Sequence, residues 1–345
     1  MPDTAGPHIG PQEVFTTLTG FKKTAMLRTA LELGLFDAVG EDSPGARQIA
    51  ERLGTDPRAT GFLLDALASV GLLAGDGSGY RLPPGAAPLL TSTGPRYVGG
   101  LARIAASHGE WEVFGRLTET VRTGAPLAEA DAQAPDFAYW TDFAQHPTPA
   151  TAKGAALVAD LLEPLDAPDV LDVGCGSGAF GLTLTARHPG ARTTLQDWPS
   201  VLQIAHRRAK EQGLDDRVTL SPGDVFGAGL PGGSYDVVVA GNLLFLFDPG
   251  RAEALVRRLA GTLRPGGRLV IASFMTGEGA TDAEHAHLLN LLMLSWTPGG
   301  ELLPPSAYQE MATRAGLTDA RVHRREGVPL QAVVATRPIR EEGPA

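Results

Sequence analysis

The chain has 345 residues, a formal net charge of −10 and a single cysteine, Cys175. This length is enough for two domains with sizeable cores, and the acidic balance argues against a nucleic-acid surface, which needs a basic face. A lone cysteine excludes an internal disulfide and fits a reduced, cytoplasmic location, and no apolar run or N-terminal signal pattern indicates a membrane partner.

The N-terminal region is predicted to contain helices and one small hairpin. Residues 13–39 place apolar side chains, among them Phe15, Leu18 and Phe21, at helical spacing, which gives a wide apolar face. A short helix follows residues 43–45, another begins at the capping pair Asp56-Pro57 and runs to Leu73, and the turn 75–79 predicts a hairpin. This order of elements is that of a winged helix.

A winged helix also suggests a DNA-binding regulator. The helix in the recognition position carries Asp56, Arg58 and Asp65, which do not form a basic reading face. Phosphate contacts from Lys and Arg supply most non-specific DNA affinity. We therefore expect no nucleic-acid partner.

Residues 13–105 resemble the N-terminal domain of bacterial small-molecule O-methyltransferases and their plant relatives. The resemblance rests on the segments 24–27 (Thr-Ala-Met-Leu) and 30–36 (Ala-Leu-Glu-Leu-Gly-Leu-Phe). It implies a winged-helix dimerisation domain, residues 1–105, that makes an intertwined homodimer and closes part of the partner's substrate pocket. The apolar face of residues 13–39 is independently consistent with such an interface.

Residues 106–165 are predicted to form a helical linker. Its aromatic side chains are Trp111, Phe114, Phe137, Tyr139, Trp140 and Phe143. The family resemblance continues here and implies that the segment 137–143 walls the substrate cavity. A cluster of core aromatics fits the same pattern, because buried aromatic side chains are common in helical regions.

The segment 170–180 is predicted to be a strand, a glycine turn and the start of a helix. Its glycines, Gly174, Gly176 and Gly178, suit a tight turn in which the backbone takes positive φ and approaches a ligand closely. Asp197 closes the next predicted strand and Asp224 follows the one after it. Carboxylates at these places can accept hydrogen bonds from a ribose and from an adenine amino group.

Two classes of ligand fit a glycine loop of this kind. A dinucleotide pyrophosphate favours the spacing G-x-G-x-x-G and no adjacent acid. This chain has G-x-G-x-G, and Asp172 stands before the first glycine, where it would repel phosphate. The methionine end of S-adenosylmethionine fits better.

The pattern resembles that of class I S-adenosylmethionine-dependent methyltransferases. From residue 166 onward strands alternate with helices, which predicts an α/β, Rossmann-like parallel sheet domain, residues 166–345. By the resemblance, Asp172 and the glycines shape the methionine pocket, Asp197 holds the ribose, and Asp224 binds the adenine. The full set of implied cofactor-binding residues is Asp172, Gly174, Gly176, Gly178, Asp197, Trp198, Asp224, Val225, Phe226 and Asn242.

The sequence departs from the family at its acid–base positions. The family pattern Asn-Leu-Leu-His-His-Phe-Asp aligns with residues 242–248, where Phe245 and Leu246 replace both histidines. Ser273 stands where an acid often ends the fifth strand, and Leu302 replaces a further glutamate. No general base can be carried over, so we considered His285, His287 and His108 as catalytic candidates. No residue set predicts a metal site.

These observations predict a homodimeric S-adenosylmethionine-dependent methyltransferase acting on a small, aromatic biosynthetic intermediate. O-methylation is favoured over C- or N-methylation, and catalysis rests mainly on proximity. The predicted acceptor-binding residues are Trp140, Phe245, Met293, Trp296 and Tyr308. The alternative is a non-methylating enzyme that uses the bound sulfonium electrostatically, as some relatives of the family do in decarboxylation, hydroxylation or pericyclic steps.

Overall fold

The structure of the protein, a computed structural model, describes residues 9–40, 42–75, 77–127, 131–135, 137–227, 229–230, 232–277 and 283–339. The chain divides into two compact units, Met1–His108 and Gly109–Ala345. The predicted linker therefore belongs, from Gly109 onward, to the unit that contains the sheet. Among the described residues, no helix has the length and apolar character needed to cross a lipid bilayer.

The first unit is helical with one short hairpin. Its elements are α1 (Pro11–Glu32), α2 (Leu35–Val39), α3 (Ala46–Leu53), α4 (Pro57–Ser69), β1 (Ala74–Gly75), β2 (Tyr80–Arg81), α5 (Ala87–Leu90) and α6 (Gly99–Ala105). Gly34, with φ of 68°, divides the helical stretch 13–39 in two, because a left-handed residue cannot continue an α-helix. Asp56 caps α4 as predicted, its Oδ1 accepting from the backbone N–H of Ala59 at 2.8 Å.

The apolar side chains of this unit are divided between a core and an uncovered face. Leu35, Phe36 and Leu64 are buried. On α1, by contrast, Phe15 is 61% exposed and Leu18 is 69% exposed. Several large apolar side chains on one helix therefore remain in contact with solvent in a single chain.

The second unit is an α/β domain, which confirms the predicted fold class. Its helices are α7 (His108–Gly115), α8 (Leu117–Thr123), α9 (Tyr139–Gln145), α10 (Pro149–Leu161), α11 (Ala179–Arg187), α12 (Pro199–Glu211), α13 (Pro249–Thr262), α14 (Ala283–Trp296) and α15 (Pro305–Arg314). Its strands are β3 (Asp169–Val173), β4 (Arg192–Asp197), β5 (Val218–Pro222), β6 (Tyr235–Gly241), β7 (Leu263–Ser273), β8 (Thr318–His323) and β9 (Gln331–Thr336).

The seven strands form one sheet in the order β5-β4-β3-β6-β7-β9-β8. The first five strands in this order are parallel, and β9 is antiparallel to both of its neighbours. Successive residues of a strand belong to two different hydrophobic cores. Val170 and Val237 pack with α10 and α11, whereas Leu171 and Val238 pack with α13 and α15. Helices thus cover both faces, as expected for a parallel sheet whose strands are apolar on each side.

Strand β7 begins earlier than its sequence predicts. The turn expected at residues 264–267 lies inside the strand, where Tyr235 of β6 pairs with Leu263 and Val237 pairs with Arg268. Residues 264–267 therefore lie opposite a single residue of β6, and Gly266 adopts φ of 81°. The turn residues form a bulge, and the strand starts at Leu263 instead of Arg268.

Parallel pairing brings the predicted ligand-binding loops together. Val173 at the end of β3 pairs with Gln196 of β4, and Asp197 pairs with Pro222 at the end of β5. On the other side of β3, Val173 pairs with Ala240 of β6. The loops that leave these four strands consequently start at one edge of the sheet.

Candidate functional site

A cavity lies at the carboxyl ends of β3 to β6. Its lining comes from the loops after these strands, from α9 to α13 and from the segment before α9. The lining residues are Ala132, Gln133, Trp140, Phe143, Thr151, Gly174, Cys175, Gly176, Ser177, Phe180, Gln196, Asp197, Trp198, Val201, Gly223, Asp224, Val225, Gly241, Asn242, Leu243, Leu246, Phe247 and Arg251. The cavity therefore includes the predicted cofactor-binding residues except Asp172, Gly178 and Phe226. Gly178 ends the glycine loop against Leu182 and Leu195 of the core, which a Cβ at this position would contact.

The glycine loop has the backbone conformation that its sequence predicts. Gly174, Gly176 and Gly178 have φ of 58°, 54° and 75°. A side chain at Gly174 would also place its Cβ 2.8 Å from Cδ1 of Leu243. Glycine is required at this first position for conformation and for space.

Asp197 binds the glycine loop and lines the cavity. Its Oδ2 accepts from the backbone N–H of Gly176 at 2.8 Å, and its Oδ1 accepts from that of Trp198 at 2.7 Å. Burial raises the pKa of this carboxyl to about 6, against the effect of both N–H donors. Each carboxylate oxygen can accept a second hydrogen bond, so the group can still receive two ligand hydroxyls.

Gln196 is a structural member of the site that the sequence analysis missed. Its side chain is buried, its Nε2 donates to the carbonyl of Gly223 at 2.6 Å, and its Oε1 accepts from the backbone N–H of Gly174 at 3.4 Å. Its own carbonyl accepts from the N–H of Cys175 at 3.1 Å. One residue thus joins the loops after β3 and β5. The available signal was a neutral polar residue directly before Asp197, at the end of the predicted strand.

Of the three predicted residues after β5, two line the cavity and one does not. Asp224 is exposed and Val225 is buried, and both line the cavity. Oδ1 of Asp224 accepts from the backbone N–H of Phe226 at 3.0 Å. Phe226 is not among the lining residues; its ring packs edge-on against Phe247 with centroids 5.1 Å apart. The position of Val225 is therefore consistent with the predicted contact to adenine, whereas Phe226 does not reach the cavity lining.

Asn242 lines the cavity and has a buried side-chain oxygen without a hydrogen-bond partner. Its φ of 51° is unusual for a residue other than glycine. Its backbone N–H donates to Ala272 at 2.9 Å, but its buried Oδ1 has no hydrogen-bond partner. A buried acceptor without a donor is costly, so a ligand ammonium or hydroxyl group would find a ready partner here. Trp198 also lines the cavity, as predicted.

Asp172 does not line the cavity, contrary to the expectation that it shapes the pocket directly. It is buried, and its Oδ2 accepts from the backbone N–H of Gly181 at 2.8 Å, while Oδ1 has no partner. Burial raises its pKa to about 8; the Gly181 N–H opposes this shift and the charge of Asp197 adds to it. Asp172 therefore supports the glycine loop indirectly, because its hydrogen bond to Gly181 fixes the first turn of α11, which follows the loop.

Most of the predicted acceptor-binding residues belong to the core. Trp140 lines the cavity, with Nε1 donating to the carbonyl of Ala132 at 2.7 Å. The others are buried and absent from the lining: Phe245, Met293, Trp296 and Tyr308. Apolar side chains such as these can line a pocket or form a core. In the structure they pack against α13, α15 and the sheet, as part of the core.

The histidine candidates are not among the residues that line the cavity. His285, His287 and His108 are all exposed and none belongs to the lining. The ring of His285 packs against Phe274 with centroids 4.5 Å apart. No histidine occurs among the described residues that line the cavity. The prediction that one of the three acts on an acceptor in this cavity has no support in their positions.

A titratable pair near the aromatic cluster was not predicted. The hydroxyl of Tyr139 donates to Oε1 of Glu110 at 2.9 Å, and Tyr139 packs edge-on against Trp140 and Trp296. Burial raises the pKa of Glu110 to about 7, against the effect of the Tyr139 hydrogen bond. The two residues come from different helices, so sequence spacing alone could not join them.

Comparisons with known proteins agree with this geometry. An O-methyltransferase domain matches residues 124–318, and an O-methyltransferase dimerisation domain matches residues 15–92. The 3-amino-4-hydroxybenzoate 4-O-methyltransferase of Streptomyces cremeus is 32% identical, covering 91% of this chain and 86% of that protein. The tetracenomycin polyketide synthesis 8-O-methyl transferase TcmO of Streptomyces glaucescens is 29% identical, covering 90% and 93%. The structure of PigF, a Serratia S-adenosyl-L-methionine-dependent methyl transferase, with S-adenosylhomocysteine has a TM-score of 0.80 at 26% identity, covering 96% and 100%.

The raised pKa of Asp172 predicts a pH dependence of stability. Because the folded carboxyl binds its proton more tightly than the unfolded one, its contribution is fully present below about pH 4 and is lost as the pH rises through about 8. Asp172→Asn keeps an acceptor for Gly181 and should remove this slope, which is at most about 1.4 kcal/mol per pH unit. Urea unfolding of the ligand-free protein at pH 6, 7 and 8 measures it.

The exposed Asp216 provides the matched control. Asp216→Asn should retain the wild-type slope between pH 6 and 8. Equal slopes in the wild-type protein and Asp172→Asn would show that Asp172 is already ionised at neutral pH.

Proposed function

The chain belongs to the S-adenosylmethionine-dependent O-methyltransferase family, and from this we propose that it methylates a hydroxyl oxygen of a small aromatic intermediate. The observation that carries the proposal is that Gly174 and Gly176 of the glycine loop, Asp197 and Asn242 all line one cavity. The aromatic acceptor is supported by Trp140 and Phe143 in the same lining. It also agrees with the hydroxybenzoate named in the Streptomyces cremeus relative.

The residues around the cavity fit the parts of the methyl donor. Asp197 would accept from the two ribose hydroxyls, and Asp224 with Val225 would bind the adenine. Asn242 would accept from the ammonium group of the methionine end. Gly174 and Gly176, which line the cavity, would leave room for that end because neither carries a Cβ. Asp172 would support the loop without touching the donor.

Methyl transfer in this cavity would depend on positioning. S-adenosylmethionine supplies an activated methyl group: the acceptor oxygen bonds to the methyl carbon as the carbon–sulfur bond breaks, leaving neutral S-adenosylhomocysteine. Phe245 and Leu246 provide no proton acceptor where the family pattern has histidines. A positioned base contributes roughly 10²–10⁴-fold, and orientation can contribute several further orders of magnitude. An acceptor that is already ionised, such as an acidic phenol, would release its proton to solvent before binding.

The same apolar positions favour one alternative. Phe245 and Leu246 are buried, and the described lining contains no histidine. In a site without a general base, a bound sulfonium could stabilise negative charge developing on a substrate without giving up its methyl group. The alternative is therefore a decarboxylase, hydroxylase or pericyclase that retains the donor unchanged.

Incubation with methyl-labelled S-adenosylmethionine and a panel of phenols, amines and carbon acids tests the proposal. We expect label on the oxygen of an acidic phenol, together with an equal amount of S-adenosylhomocysteine, both followed by mass spectrometry. Label on nitrogen or carbon would contradict O-methylation and would identify an amine or a carbon acid as the acceptor. Conversion of a substrate without label or S-adenosylhomocysteine would favour the electrostatic alternative.

Removal of the Asp197 carboxylate should weaken donor binding. Asp197→Ala removes the proposed ribose acceptor and the Gly176 hydrogen bond, so we expect a loss of roughly 3 kcal/mol, more than a hundredfold in Kd. Calorimetric titration with S-adenosylhomocysteine measures the change. Asp216→Ala, on the exposed surface, should bind as the wild-type protein does. Unchanged affinity of Asp197→Ala would remove this residue from the donor site.

The exposed face of α1 should form a homodimer interface. Its apolar side chains lie within the matched dimerisation domain, and Leu18 is 69% exposed in a single chain. Leu18→Glu would bury a charge at the interface and should shift the protein to monomer in sedimentation velocity. Thr16→Glu, at an exposed position on the opposite side of α1, should leave the dimer intact. A monomeric wild-type protein, or dimeric Leu18→Glu, would contradict this interface.

A further inference from the structure

A short segment before α9 forms one wall of the cavity. Ala132 and Gln133 both line it, and we call residues 131–133 the strap. The strap is held at its middle by two hydrogen bonds: the N–H of Ala132 donates to the carbonyl of Trp296 at 3.0 Å, and the carbonyl of Ala132 accepts from Trp140 at 2.7 Å. These bonds tie the strap to α14 and α9, independently of the glycine loop.

Gln133 connects the strap to the opposite wall. Its Nε2 donates to the carbonyl of Leu246 at 2.7 Å, and its Oε1 accepts from Nη1 of Arg251 at 2.7 Å. Its backbone N–H donates to Oδ1 of Asp131 at 2.9 Å, which fixes the turn that presents it. Both polar ends of the Gln133 side chain are therefore used to bridge from the strap to the region after β6.

Arg251 is held for this contact by two aromatic rings. Its guanidinium carbon lies 4.7 Å from the ring centre of Phe226 and 5.3 Å from that of Phe247. The two rings pack edge-on against each other. Cation–π contacts of this kind restrict a side chain that is otherwise flexible. The guanidinium is thus positioned on the first turn of α13 to donate to Gln133.

The Gln133–Arg251 contact lies in the same cavity as the residues proposed to bind the adenine. Gln133, Arg251 and Phe247 line the same cavity as Asp224 and Val225. Phe226, on which Arg251 stacks, follows Val225 directly in the chain. A ligand whose adenine lies at Asp224 and Val225 would have the Gln133–Arg251 pair as its neighbour.

We propose that Gln133 and Arg251 form a clasp that closes the adenine end of the donor cavity and slows release of the donor and of its demethylated product. The inference rests on the proposed function, since it assumes that adenine occupies the Asp224 end. Both residues are positioning residues: they hold a wall of the site and take no part in methyl transfer. The clasp opens when the two Gln133 side-chain hydrogen bonds break.

The clasp can be weakened without removing the strap. Arg251→Met keeps an unbranched apolar side chain against Phe226 and Phe247 but cannot donate to Gln133. The bonds from Ala132 to Trp296 and Trp140 remain, so the cavity wall should stay in place. Gln133→Ala removes the acceptor of this hydrogen bond and also the bond to the carbonyl of Leu246. If Arg251 acts only through Gln133, the double variant should resemble Gln133→Ala.

Stopped-flow displacement of S-adenosylhomocysteine measures the effect directly. Loss of the charge-assisted hydrogen bond should raise koff about tenfold in Arg251→Met. Gln133→Ala, which also loses the bond to Leu246, should raise koff at least as much, and the double variant should not exceed Gln133→Ala. The dissociation rate of 5′-methylthioadenosine, which has the adenine but no amino-acid end, should rise by the same factor. Arg257→Met, on the same helix and paired at the surface with Glu253, should leave both rates unchanged.

Each result bears on the clasp or on its premise. Unchanged koff in both single variants, with wild-type thermal unfolding of the ligand-free proteins, would overturn the clasp. Faster release of S-adenosylhomocysteine without faster release of 5′-methylthioadenosine would place the closure at the amino-acid end and equally overturn it. If the wild-type protein binds neither ligand, the proposed function fails and the clasp with it. Should Gln133→Ala unfold, Gln133→Asn with Arg251→Lys repeats the comparison.

Discussion

The donor cavity depends on hydrogen bonds between the glycine loop and the end of the neighbouring strand. The N–H groups of Gly174, Cys175 and Gly176 are bound by Gln196 and Asp197, which close β4. Within the loop, the N–H of Gly178 donates to the carbonyl of Cys175 at 2.8 Å. The N–H groups of residues 174–176 are bound instead by two consecutive residues whose positions are set by the pairing of β3 with β4.

This arrangement places two carboxyl groups in or beneath the site with no cation paired to either among the described residues. Burial raises the pKa of both Asp172 and Asp197. A ligand that carries positive charge would relieve this cost, because opposite charge favours the ionised carboxylate. S-adenosylmethionine carries a sulfonium and an ammonium group, so the electrostatics of the cavity agree with the methyl donor that the family uses. The negative charge of a pyrophosphate would instead be repelled by these carboxylates.

The apolar replacement of the family's histidines has a consistent structural setting. Phe245 and Leu246 lie in a short turn after β6 that packs into the core, and the carbonyl of Leu246 is bound by Gln133. Leu246 and Phe247 of this segment line the cavity, so the segment forms part of its wall. The proposed catalysis by positioning and the proposed Gln133–Arg251 clasp are compatible with this role, because neither requires a titratable side chain at these positions.

The sequence by itself determined the α/β architecture, the glycine loop, Asp197 and the helical N-terminal region, because these follow from strand and helix periodicity and from the backbone freedom of glycine. It also located Asn242 and Trp198. Tertiary structure alone decided that Gln196 joins two loops, that Asp172 lies beneath the cavity, and that Trp140 lines it while Met293, Trp296 and Tyr308 are core. Periodicity shows that a side chain is apolar and buried. Whether it borders a cavity or a neighbouring side chain depends on residues distant in the chain, which spacing does not encode.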